Sequence, residues 1–135
     1  VNMVIDTSAI IASVMQGPER GALAEAASGH VLIAPDFVRW EICHAFSVMI
    51  RQKGIDAGEA RRGMEILGNI PLRYVDVDMA QVLSIASRLK GVAADAFFLE
   101  TAIRYNAPLL TLDRSLARAA ESLGIDVVRL EVQGE

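Results

Sequence analysis

Short runs without a polar residue alternate along this chain with longer segments of helical periodicity, and few folds can bury such runs. Met3-Val4-Ile5, Val31-Leu32-Ile33-Ala34 and Leu109-Leu110 would present apolar side chains to both faces of a strand. That pattern suits a parallel sheet covered by helices on either side. Strands are expected over 3–5, 31–34, 72–77, 108–111 and 126–130. Between them, helices are expected over 9–15 (stopped by Gly17-Pro18), 19–28 (ended by Gly29), from Pro35-Asp36 to about Lys53, 57–67, 79–89, 95–105 and 114–123, the last closed by Gly124. The order predicts an α/β fold: a three-layer α/β/α sandwich around a central, mainly parallel five-stranded sheet. Its 135 residues suit a single domain, placed at 1–131 with a loose tail at 132–135.

In open parallel sheets a ligand sits beyond the carboxyl ends of the strands, where the strand order reverses. Asp6 ends the first apolar run and Asp113 follows Leu109-Leu110-Thr111-Leu112, so both fall on that edge; Asp95 opens the segment Asp95-Ala96-Phe97-Phe98-Leu99. Each aspartate could simply cap a helix, since its oxygen accepts a bond from an unpaired N–H of the first turn. Glu41 has no such explanation. It lies in Phe37-Val38-Arg39-Trp40-Glu41-Ile42-Cys43-His44-Ala45, on a largely apolar stripe where a carboxylate needs a partner: Arg39, His44, another basic group or a cation. Four carboxylates brought together repel one another unless neutralised, and oxygen-only ligands favour a hard ion such as Mg²⁺, with Mn²⁺ able to substitute. Asp6, Glu41, Asp95 and Asp113 are therefore the candidate metal ligands and catalytic residues. Thr7, Ser8 and Thr111 are candidates to orient a carboxylate or a bound water, or to serve as ordinary helix-start hydrogen-bonding residues.

The net charge of −4 and pI near 5.2 argue on their face against a nucleic-acid partner. With the four candidate ligands set aside, however, the 17 acidic residues fall to the number of Lys and Arg, 13. Arg20, Arg39, Arg51, Lys53, Arg61, Arg62, Arg104, Arg114 and Arg118 are then available to phosphate. Glu41 and His44 form Glu-x-x-His, a spacing used in di-iron bundles, but no second copy exists and His30 is the only other histidine. His44 is read as structural or as supporting a ligand. The lone Cys43 excludes an internal disulfide and is expected in the core, Glu100 is expected to be exposed, and Trp40, Tyr74 and Tyr105 are too scattered in sequence to predict a base-stacking platform. No apolar run is long enough to cross a membrane and the first residues lack the features of a signal peptide, so a cytoplasmic location without membrane contact is expected.

These strings, in this order, resemble the PIN-domain ribonucleases, and among them the compact VapC-type toxins of toxin–antitoxin pairs. Val4-Ile5-Asp6-Thr7-Ser8 is similar to the family's opening motif, Ala34-Pro35 and the following Glu41 to its next, Asp95-Ala96 to its Asp-Ala motif, and Leu110-Thr111-Leu112-Asp113-Arg114 to its Thr-x-Asp motif. The resemblance implies a five-stranded PIN fold, Mg²⁺ or Mn²⁺ as cofactor, endonucleolytic cleavage of RNA, a homodimer, and inhibition by a cognate antitoxin. Arg114 is then a candidate for contact with substrate. Ala94, where many relatives carry Tyr or another polar residue, and Glu100, where a small or apolar residue is usual, depart from the pattern.

Two other α/β enzymes are disfavoured by the residues. A haloacid-dehalogenase-type phosphatase wants a second aspartate two positions after the first, where this chain has Ser8, and a response-regulator receiver wants a lysine after a late strand, whereas 101–135 contain none. The alternative from a different class is a catalytically weak PIN-like module that engages RNA or a protein partner.

Overall fold

The computed structural model describes residues 1–130; the expected tail at 132–135 lies outside them. Four strands form one parallel sheet: β1 (Asn2–Ile5), β2 (Val31–Pro35), β3 (Leu72–Val75) and β4 (Leu109–Leu110), in the spatial order β3-β2-β1-β4. Seven helices join and flank them: α1 (Thr7–Val14), α2 (Arg20–Ala27), α3 (Phe37–Arg51), α4 (Ala57–Gly68), α5 (Met79–Leu89), α6 (Ala93–Arg104) and α7 (Arg114–Ser122). The α/β fold expected from the alternation is the one observed. Successive strand residues point to opposite faces, so three buried residues in a row in β1 and again in β2 mean that helices cover both sides there. α6 packs on β1 and β2 with α5 against it, while α1 contacts α2, α3 and α4.

The sheet has four strands rather than five. The segment predicted as the last strand meets β4 through a single parallel bridge, Leu109 with Val127. Its backbone bonds are Leu109 N–H to the Asp126 carbonyl and Val128 N–H to the Leu109 carbonyl, both 2.9 Å. The flanking groups of β4 are engaged elsewhere: the Pro108 and Leu110 carbonyls accept from Val4 and Asp6 of the β1 side. A two-residue strand thus offers its outer neighbour only one residue to pair with.

Local chemistry explains the helix starts. Asp6, Asp56, Asp78 and Asp113 each cap a helix by accepting backbone N–H bonds, and Asp56 forms a reciprocal capping box with Glu59. Along α3, Val38, Ile42 and Phe46 are buried at every fourth position, which turns Arg39, Trp40, Cys43 and Ser47 outward. Cys43 is accordingly exposed, contrary to the core position expected of it. Among the described residues no helix is long and apolar enough to cross a membrane.

Gly63 marks the closest packing between α3 and α4. A Cβ there would lie 2.9 Å from Phe46 Cζ and 3.3 Å from Met15 Sδ, and Phe46 is itself buried. Gly63→Ala is therefore expected to destabilise by about 1 kcal/mol net, overpacking outweighing a helix-propensity gain of similar size. Gly68→Ala, with nothing within 4 Å, should be neutral or mildly stabilising. Urea unfolding of the two variants checks the contrast, and equal effects would refute the packing argument.

Candidate active site

The chain runs outward from β1 through β2 to β3, then returns to place β4 on the other side of β1. The reversal lies between β1 and β4, and Asp6 and Thr111 are the residues that directly follow those two strands. Asp6 N–H donates to the Leu110 carbonyl at 3.2 Å, which ties the two strand ends together. Asp6 is only 4% exposed. Its Oδ1 accepts from the Ala9 N–H at 3.0 Å and from Ser8 Oγ at 2.8 Å, and its Oδ2 accepts from Thr111 Oγ1 at 2.6 Å and Ser8 Oγ at 3.0 Å. Three donors oriented on a group with about four lone-pair directions leave room for one further partner.

Thr111 and Ser8 also brace the loop beyond β4: Thr111 Oγ1 accepts from Asp113 N–H at 2.9 Å, and Ser8 Oγ from Leu112 N–H at 3.0 Å. Asp113, exposed at the start of α7, accepts from the Ser115 and Leu116 N–H groups at 2.9 and 3.1 Å. Arg114 is exposed beside it. Thr7, next to Asp6, donates through Oγ1 to Glu41 Oε1 at 2.6 Å, so the half-buried glutamate of α3 is held to the start of α1. Its partner is a hydroxyl, not Arg39, which pairs with Asp36 and lies over the Tyr74 ring.

Asp95 is the third residue of α6 and not its cap: the helix begins at Ala93, preceded by Val92 with no side-chain cap bond. The capping explanation therefore holds for Asp6 and Asp113 but not for Asp95 or Glu41. The carboxyls of Asp6, Glu41 and Asp95 are all held above their ordinary values. Burial is the main cause in each, opposed by hydroxyl or amide bonds for Asp6 and Glu41. Mutual repulsion adds to it: Asp113 raises Asp6 and Asp95, while Asp6 and Asp95 raise Glu41. The four acids, from four parts of the chain, are thus linked in pairs.

Among the described residues, no three carboxylate, imidazole or thiol groups stand close enough to enclose an ion unaided. The donor set nonetheless fits a hard divalent cation. It is all oxygen, negatively charged and partly desolvated, and Mg²⁺ takes one or two carboxylates directly while keeping several waters.

Glu100 and a group of rings lie differently from expectation. Glu100, expected in solvent, is 4% exposed, its Oε1 accepting from Arg104 Nε at 2.7 Å and from Asp78 N–H at 3.4 Å. Packing of α5 on α6 covers it, and its Oε2 has no partner. Of Trp40, Tyr74 and Tyr105, expected to be too scattered to form a platform, Trp40 alone belongs to a continuous ring ladder. Phe97 stacks on Phe37 (centroids 4.4 Å apart), Phe37 on Trp40 (5.6 Å) and Trp40 on His44 (5.0 Å), with interplanar angles of 21°, 16° and 9°. Phe37 and Phe97 were not singled out from the sequence. The spacing 37, 40, 44 on one helix was a legible signal, whereas the contribution of Phe97 from α6 depends on the fold.

The PIN domain family model matches residues 3–122. No protein of curated function matches by sequence. Among solved structures, the chain is similar to the crystal structure of PAE2754 from Pyrobaculum aerophilum, with a TM-score of 0.68 and 18% identity over 91% of this chain and 95% of that one. At that identity the likeness concerns the fold.

Proposed function

The chain belongs to the PIN-domain family, whose members are generally nucleases, and on that premise we propose that it is a Mg²⁺- or Mn²⁺-dependent endoribonuclease, the toxin of a type II toxin–antitoxin pair of the VapC type. The observation that carries the reading is Asp6 at the point of strand reversal, buried yet furnished with hydroxyl donors, with Thr7 beside it holding Glu41. Asp6 and Asp113 would hold the ion, with Asp95 and Glu41 completing its shell directly or through water. When bound, such an ion lowers the pKa of a coordinated water and offsets the charge that develops on phosphate oxygens.

The remaining roles fall to the chain. Ser8 and Thr111 fix the orientation of the Asp6 carboxylate, and Thr7 fixes Glu41, so neither needs to reorganise when substrate arrives. Arg114, exposed beside Asp113, is placed in the proposal to contact a phosphate of the RNA. Exposed apolar side chains such as Met79, Leu83 and Ile103 offer surface for a second copy or for the antitoxin. A cytoplasmic location follows from the same reading.

Incubating the purified protein with a structured RNA in Mg²⁺, Mn²⁺ or excess chelator tests the activity. Internal cuts are expected with either ion and none with chelator. RNA bound equally well in chelator but never cut would instead identify a PIN-like binding module. Co-purification with the product of the neighbouring reading frame tests the antitoxin assignment.

A further inference from the structure

We propose that the ring ladder on α3 is a nucleobase-stacking subsite, in which a base of single-stranded RNA next to the scissile phosphate stacks on Trp40 and His44. The inference rests on the RNA-cutting reading above. With about 100° per residue, Phe37, Trp40, Glu41 and His44 share an arc of roughly 100° on α3. Residues three and four apart lie about 5–6 Å from each other at Cβ, so Phe37 and His44 sit one turn before and one turn after Glu41 on the same face of α3. Phe97, two residues after Asp95 on α6, anchors the inner end of the ladder. The stack therefore joins the two helices, α3 and α6, that carry Glu41 and Asp95.

Its exposure rises outward. Phe97 and Phe37 are half-buried, Trp40 is 60% exposed and His44 is exposed. Rings needed only for packing would be covered, and covering is what favours them energetically. Here two near-parallel flat groups end in solvent, the arrangement that extends naturally by one more planar ring. A nucleotide whose phosphate meets an ion held by Glu41 would have its base directed to the same arc of α3. Stacking of this kind accepts any base, so the subsite would select single-stranded over duplex RNA and impose little sequence preference.

Trp40 is the only tryptophan, so its fluorescence reports on the ladder alone. In Mg²⁺, titration with a single-stranded 2′-O-methyl oligonucleotide, checked to remain uncut, is expected to quench it, whereas an abasic strand of equal length and charge should leave it nearly unaltered. Trp40→Ala should weaken binding of the base-bearing strand about tenfold and raise KM for RNA more than it lowers kcat, with Trp40→Phe recovering most of the loss. Equal quenching by the abasic strand, or no response to any strand from a protein that cuts RNA, overturns the subsite and leaves the rings to a protein partner. Quenching by bases in a protein that never cuts RNA upholds the subsite and overturns the nuclease reading.

Discussion

Asp6→Asn is expected to lower Mg²⁺-dependent RNA cleavage by at least about a hundredfold while making the ion-free protein more stable, a pairing of opposite effects that a purely structural aspartate would not produce. Asparagine keeps the shape and the cap, its carbonyl oxygen accepting from the Ala9 N–H, while its NH₂ in place of Oδ2 requires the Thr111 and Ser8 hydroxyls to turn and accept where they now donate. It removes a buried negative charge that desolvation disfavours and that adds to the repulsion felt at Glu41. The variant should therefore be the more stable of the two near neutral pH in the absence of the ion.

The pH dependence of that gain has a definite sign. A carboxyl whose pKa is higher in the folded than in the unfolded chain takes up protons on folding. Its contribution to stability is complete below the unfolded value, about 4, and is lost as the pH rises through the raised folded value. In chelator, the wild type should therefore lose stability relative to Asp6→Asn on going from pH 4 to pH 8. Saturating Mn²⁺ should reverse the order, because an ion bound only by the folded wild type stabilises it by linkage. Melting curves at several pH values, with and without Mn²⁺, test this alongside the cleavage assay. A variant that cuts RNA normally, or that is less stable than the wild type in chelator at neutral pH, would sink the assignment of Asp6.

Thr111→Val is expected to cost about 2–3 kcal/mol in the ion-free protein. The replacement is nearly isosteric, so packing is retained and the loss is polar. The hydroxyl donates to buried Asp6 at 2.6 Å and accepts from the Asp113 N–H at 2.9 Å. Removing it deprives a buried carboxylate of a charge-assisted bond and leaves an amide short of its acceptor. A double-mutant cycle isolates the first part: in an Asp6→Ala background, Thr111→Val should cost at least about 1 kcal/mol less than in the wild type. Denaturant unfolding of the four proteins measures the coupling. Additive losses would show that Thr111 acts on the loop after β4 alone and would remove its role in orienting Asp6.

The strand–helix alternation was legible because its cause is local. Apolar runs at 3–5 and 31–34 must be covered on both faces wherever they fold, and aspartates before helices satisfy N–H groups whatever the tertiary context. Chain order likewise marked Asp6, Glu41, Asp95 and Asp113 as worth joining. The fifth strand was misjudged for a non-local reason: a strand extends only as far as its neighbour offers backbone groups, and two-residue β4 offers one residue.

Glu100 and Cys43 show the same boundary at the level of single side chains. Residue type predicts average burial, but the packing of α5 over α6 covers a glutamate, and the orientation of α3 turns a cysteine to solvent. What the amino-acid order determined by itself was the layering and the caps at Asp6 and Asp113, each set by interactions within a few residues. Only the tertiary structure decided that Thr111 would reach across 105 positions to Asp6, that Thr7 would hold Glu41, and that Phe97 would complete a stack begun on another helix. Those pairings depend on which strands lie side by side and how helices settle on them, a choice made by burying the whole apolar surface at once.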